Sequence, residues 1–112
     1  MNRPYAVCLE ISGVNPAKKD DVIGACCRET QDLKPWDFWM PETERDSIGV
    51  LVPKKLCEPD RVEQLTDRLA RAAWTANGAF CRLMLCEVWL NEVPFVVRGV
   101  EEYRTWMKEG GD

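Results

Sequence analysis

Residues 5–12 alternate strictly, with Tyr5, Val7, Leu9 and Ile11 on one face and Ala6, Cys8, Glu10 and Ser12 on the other. A period of two marks a strand that buries one side. The pattern then changes to a period near 3.6: Val22, Ile23, Cys26, Cys27, Thr30 and Leu33 predict a helix over 16–31. Asn15 is placed to cap it, and Pro16 at its first position loses no hydrogen bond. Gly24 lies inside this helix at a cost of about 1 kcal/mol against alanine, and close approach to a strand is the expected compensation.

Residues 35–41 put Trp36, Phe38 and Trp39 between two prolines. Proline withholds a donor from a ladder, so the segment predicts a short edge strand. Parity sends Trp36, Phe38 and Met40 to one face and Asp37 and Trp39 to the other; Trp36 and Phe38 are expected in the core. Glu42, Glu44 and Asp46 belong to a solvated loop before a second strand over 48–52, and the two strands predict a hairpin. Glu58, Pro59 and Asp60 open the strongest helix, whose Val62, Leu65, Leu69, Ala72, Ala73 and Ala76 keep helical spacing until Asn77 and Gly78 end it. Residues 80–90 read as a strand apolar on both faces, and 93–97 as its hairpin partner. Val100, Tyr103, Trp106 and Met107 share one side of a short terminal helix.

The element order is β-α-β-β-α-β with a further strand and helix. Over about residues 5–90 this resembles the split βαβ, or ferredoxin-like, arrangement, in which two helices cover one face of an antiparallel sheet. The resemblance is one of pattern and carries no diagnostic motif; it implies an α+β class and no particular activity. A chain of 112 residues fits one domain, so 1–112 is expected to form a single unit.

Composition narrows the function. The net charge is -4, which argues against nucleic acid, whose nonspecific affinity rests on Lys and Arg. No apolar run reaches about 18 residues, so no membrane partner is expected. The first residues lack a signal-like apolar stretch, and a cytoplasmic location with reduced thiols is the expectation. Histidine is absent, as are the C-x-x-C, G-x-x-x-x-G-K-[ST] and G-x-G-x-x-G patterns. A Cys-His or Ser-His nucleophile therefore cannot form, and neither a metal nor a cofactor is expected.

Glu10 is the carboxylate of greatest interest, because it interrupts an apolar strand on the face the helices leave open. The expected pairing sets it opposite residues 80–82, with Arg82 on the same face as Met84 and Cys86. A cross-strand ion pair is the plain expectation, and a polar ligand site around Glu10 and Arg82 the sharper one. Glu87 falls on the other parity, near the strand end. Cys26 and Cys27 diverge by about 100° on a helix and read as packing residues; Cys8 and Cys86 share the open face, where a thiol or metal role is a weaker alternative. The face has no aromatics on its central strands and so lacks the stacking platform of RNA-binding relatives of this topology.

That open face is apolar enough to need a cover, for which the candidates are the terminal helix through Tyr103, Trp106 and Met107, a second copy of the chain, or another protein. The reading that follows is a non-enzymatic protein-interaction module, an inhibitor or adaptor, binding through Trp39, the loop with Glu42, Glu44 and Asp46, and the terminal segment with Tyr103 and Trp106. The alternative is a small-molecule binder or minor enzyme, dimeric, with a pocket at Glu10 and Arg82.

Overall fold

The computed structural model describes residues 7–40, 45–52, 61–87 and 94–110. Five strands, β1 (Val7–Ser12), β2 (Phe38–Trp39), β3 (Ser47–Val52), β4 (Arg82–Glu87) and β5 (Pro94–Arg98), form one antiparallel sheet in the order β2-β3-β1-β4-β5. Three helices accompany it: α1 (Lys19–Glu29), α2 (Val62–Asn77) and α3 (Val100–Lys108). The expected α+β class holds. Among the described residues no helix is long and apolar enough to cross a membrane.

The alternation of β1 decides the layering. Leu9 and Ile11 are fully buried, as are Ile48, Val50, Leu83 and Leu85 on the neighbouring strands, and they pack with Val22, Ile23 and Cys26 of α1 and Leu65, Leu69 and Ala73 of α2. Each buried Leu, Ile or Val among them contributes about 1.5–3 kcal/mol of transfer free energy.

Both helix ends near β1 depend on side-chain amides. Asn15 Oδ1 accepts from the Ala17 N–H at 3.0 Å and caps a 3-10 turn, Pro16–Lys18, so the segment expected as one helix over 16–31 divides into this turn and α1. The Asn15 N–H donates to Asn77 Oδ1 at 2.8 Å, and Asn77 Nδ2 donates to the carbonyls of Ala79 and Phe80 at 3.1 and 3.4 Å. Asn77 is buried, and these bonds offset the desolvation of its amide while joining the end of α2 to the β1–α1 connection. Gly78 follows with φ of 75°, the left-handed cap that the sequence predicts.

Three expectations need correction. Residues 35–37 form a second 3-10 turn, in which the Asp37 N–H donates to the Lys34 carbonyl at 2.9 Å, and β2 is only Phe38 and Trp39. Proline fixes a φ that suits such a turn. The turn takes Trp36 out of strand parity and leaves it 78% exposed, so only Phe38 of the expected pair packs against the core. Gly24, second, approaches no strand: a methyl group there would meet only the Arg28 guanidinium, at an ordinary 3.6 Å.

The third concerns α3, one of the three candidate covers for the open sheet face, which packs on the helical side instead. Trp74 of α2 is buried and its indole N–H donates to the Cys81 carbonyl at 2.7 Å. Tyr103 meets it edge-on at 5.2 Å between centroids and Trp106 at a tilt at 5.3 Å, while Phe80 lies 5.5 Å from Tyr103. Each aromatic pair contributes about 0.5–1.5 kcal/mol beyond area burial. Arg98, at the end of β5, reaches to the same side and bonds Asp67 at 2.5 Å and Glu63 at 3.3 Å, both on α2. Partial burial works against the Arg98 charge, but the hydrogen bond and proximity of Asp67, then those of Glu63, outweigh it and hold the guanidinium's pKa above its usual value. With β5 fastened to α2 in this way, the chain enters α3 on the helical side.

Because Gly24 has room for a methyl group and a helical conformation that alanine shares, Gly24→Ala should raise stability by about 0.5–1 kcal/mol. Urea unfolding followed by circular dichroism measures this; a loss of stability would show an unseen packing constraint.

Candidate functional site: the open sheet face

Strand register builds the open face as rows running across the sheet. Gly49 on β3 and Met84 on β4 pair with Glu10, Trp39 on β2 pairs with Gly49, and Val97 on β5 pairs with Met84. Trp39, Gly49, Glu10, Met84 and Val97 thus form one transverse row over all five strands. To one side lie Leu51, Cys8 and Cys86, and to the other Ser47, Ser12 and Arg82.

Glycine is required at the second place in the row. A Cβ on Gly49 would lie 2.5–2.7 Å from the Cε2, Cζ2 and Nε1 atoms of Trp39, so the indole covers the space a side chain would fill. This anchors Trp39 while leaving it 41% exposed; Leu51 and Val97 are exposed by 53% and 41%. The result is an apolar surface on the sheet with nothing from α3 above it.

Glu10 stands half-buried at the centre of that row. The expected register is off by at least two residues: Met84, not 80–82, is opposite Glu10, and Arg82 is opposite Ser12. β4 begins at Arg82, the partner of Ser12 at the end of β1, and the Cys81 carbonyl just before it accepts from the Trp74 indole. Glu10 and Arg82 do share a face, diagonally placed, yet form no ion pair with each other. Glu87 ends β4 opposite Val7, at the strand end as expected.

The other sequence candidates are dispersed. Asp46 is exposed at the turn into β3, where its carbonyl accepts from the Val14 N–H at 2.9 Å. Glu42 and Glu44 lie outside the described residues, as does Cys57. Tyr103 and Trp106 are half-buried in the aromatic cluster on the helical side, away from Trp39. The role of Gly49 went unread in the sequence; the signal was a glycine facing a tryptophan in a predicted hairpin.

The cysteines behave as packing residues where they are described. Cys26, Cys27 and Cys81 are free thiols. Burial pushes the thiols of Cys26 and Cys81 from 9.0 to about 12, and nearby Cys27, Cys81 and Glu29 add to the effect at Cys26. Burial also raises Cys27, against the lowering influence of Lys34. Thiols held neutral in this way are poor nucleophiles at physiological pH. Cys8 and Cys86 are directly opposed in the register, as their shared face implied. Among the described residues no three His, Cys, Asp or Glu side chains gather so as to hold a metal ion. No protein-family model matches the chain, and no curated protein or solved structure matches it significantly.

Two outcomes test this description. Gly49→Ala should expel the Trp39 indole from the sheet, seen as a large change of one indole N–H resonance in NMR spectra with the fold retained; an unmoved resonance would show that the ring does not depend on the glycine. The raised thiols bear on pH. The unfolded chain loses thiol protons from about pH 9 while folded Cys26 and Cys81 keep theirs to about 12, so their stabilisation is complete below 9 and declines as pH rises through this window. Each thiol adds a slope of up to about 1.4 kcal/mol per pH unit there. Cys26→Ala should therefore unfold with a shallower alkaline slope than the wild type in urea titrations at pH 8 to 11.

Proposed function

We propose that the chain is a non-enzymatic protein-interaction module of the adaptor type, built on a ferredoxin-like βαββαβ core, whose open sheet face docks a second copy of itself. The strand order β2-β3-β1-β4, antiparallel throughout and extended by β5, supports the ferredoxin-like reading. The observation that carries the function is the transverse row with an anchored but exposed Trp39 and an exposed Val97, and exposed Leu51 beside it, on a face that α3 does not cover.

A second copy suits this face for an electrostatic reason. Glu10 and Arg82 lie on it unpaired with each other, one acidic and one basic. A two-fold axis through the sheet face brings Glu10 of one copy to Arg82 of the other, twice, which is the self-complementarity an isologous interface requires. The alternative, a small-molecule site between Glu10 and Arg82, is favoured less, since the two grooves described below open on the helical side.

Charge reversal tests the pairing. In sedimentation velocity the wild type should run as a dimer, Glu10→Arg and Arg82→Glu should each shift it toward monomer by like-charge repulsion, and the double reversal should restore the dimer. Leu51→Asp, at an exposed position, should also yield folded monomer. A monomeric wild type, or a dimer indifferent to Leu51→Asp, would refute docking through this face.

A further inference from the structure

The outer side of the helical layer holds a groove that no periodicity announced. Ala25 of α1 and Ala72, Thr75 and Ala76 of α2 are small, and where the two helices pack they leave a concavity of about 520 Å³. Arg28 of α1 and Arg68 and Arg71 of α2 line it, with Glu29 and the ring of Trp106. Arg68 and Arg71 are three residues apart and so share a helix face. All three arginines are exposed, and none of their guanidinium groups makes an ion pair or hydrogen bond among the described residues, in contrast to Arg98.

This is a local reversal of charge in a chain of net charge -4: three guanidiniums face a single carboxylate. Their mutual repulsion is relieved by an anion between them. Arginine forks offer paired N–H donors, and three of them exceed what one carboxylate can accept, whereas a phosphate monoester presents three terminal oxygens and close to two charges. The alanines and the flat face of Trp106 add apolar surface that a bare inorganic ion would not use.

A neighbouring groove of about 350 Å³ shares Arg71 and Trp106 but is otherwise lined by Asp67, Glu101, Glu102 and Glu109. The acidic wall bounds the basic one, so a long polyanion extending past Trp106 would be repelled while a compact anion would not.

We propose that the groove between α1 and α2 binds a phosphate monoester attached to a flat or apolar body. This site lies on the side of the molecule opposite the sheet face and is independent of docking there. The chemistry has two sources, a free phosphate ester or a phosphate carried on a protein side chain.

Calorimetric titration at constant ionic strength tests it with four probes: inorganic phosphate, phenyl phosphate, adenosine monophosphate and a short phosphotyrosine peptide. Phenyl phosphate should bind more tightly than inorganic phosphate. Arg68→Gln with Arg71→Gln should weaken phenyl phosphate by at least about tenfold, since each replaces a charge-assisted donor. Ala72→Leu, which keeps every charge and fills the concavity, should weaken phenyl phosphate and leave inorganic phosphate nearly unchanged. Tighter binding of adenosine monophosphate would assign the free ester as source, and tighter binding of the peptide the protein-borne one. The proposal is overturned if phenyl phosphate does not bind, if it binds the double arginine variant as well as the wild type, or if Ala72→Leu is without effect on it. Circular dichroism checks each variant; should the double arginine variant lose its fold, Ala72→Leu decides alone.

Discussion

β1 lies between two antiparallel neighbours, and its side chains can point only up or down. Leu9 and Ile11 go to the helices and are sealed from water; Cys8, Glu10 and Ser12 must then go to the other face. A shift of one residue against either neighbour would bury Glu10 among Leu69, Val22 and Leu83, at a desolvation cost that no partner there could offset. The apolar core thus holds the register, and the register composes the open face. Trp39 over Gly49, Glu10 beside Met84 and Arg82 at the diagonal are all consequences of one alternation.

The second determinant is where α3 goes. Its Tyr103 and Trp106 could have served as a cover for the sheet or as a cover for α2, and the amphipathic pattern is the same in either case. Trp74 and Arg98 decide between them. The Trp74 indole is fixed by its bond to the Cys81 carbonyl and offers an aromatic surface on the helical side, while Arg98 ties β5 to Asp67 and Glu63 of α2. One choice therefore has two effects. Tyr103 and Trp106 pack on the helical side and not on the other face of the sheet, and Trp106 becomes a wall of the arginine-lined groove.

Charge is distributed between these regions in three different ways. Arg98 is neutralised by carboxylates and acts as a fastener; Glu10 and Arg82 share a face without meeting; Arg28, Arg68 and Arg71 line one groove in which, among the described residues, Glu29 is the single carboxylate. The overall acidity of the chain describes none of them. Net charge governs long-range behaviour such as solubility and steering, whereas recognition follows from which groups the fold brings within a few ångströms.

Much of the architecture was legible in the linear pattern, because its causes are local. The period of two in β1, the helical spacing of Val62, Leu65 and Leu69, the asparagine cap at Asn15 and the left-handed turn at Gly78 are each set by neighbours in sequence. The stretch 35–41 was misread where a proline-led turn overrode strand parity, and Trp36 went to solvent instead of the core. The site was less legible. Glu10, Arg82 and Trp39 could be named from sequence and assigned a face, but their spacing across strands depends on the registers of β1 with β4 and of β2 with β3, which no single strand specifies. The arginine groove could not be seen at all, since it joins α1, α2 and α3 through side chains that lie far apart in sequence. Periodicity alone determines which side of an element is apolar. Which apolar sides meet is chosen by packing, hydrogen bonds and charge acting between distant segments, and that choice belongs to the tertiary structure.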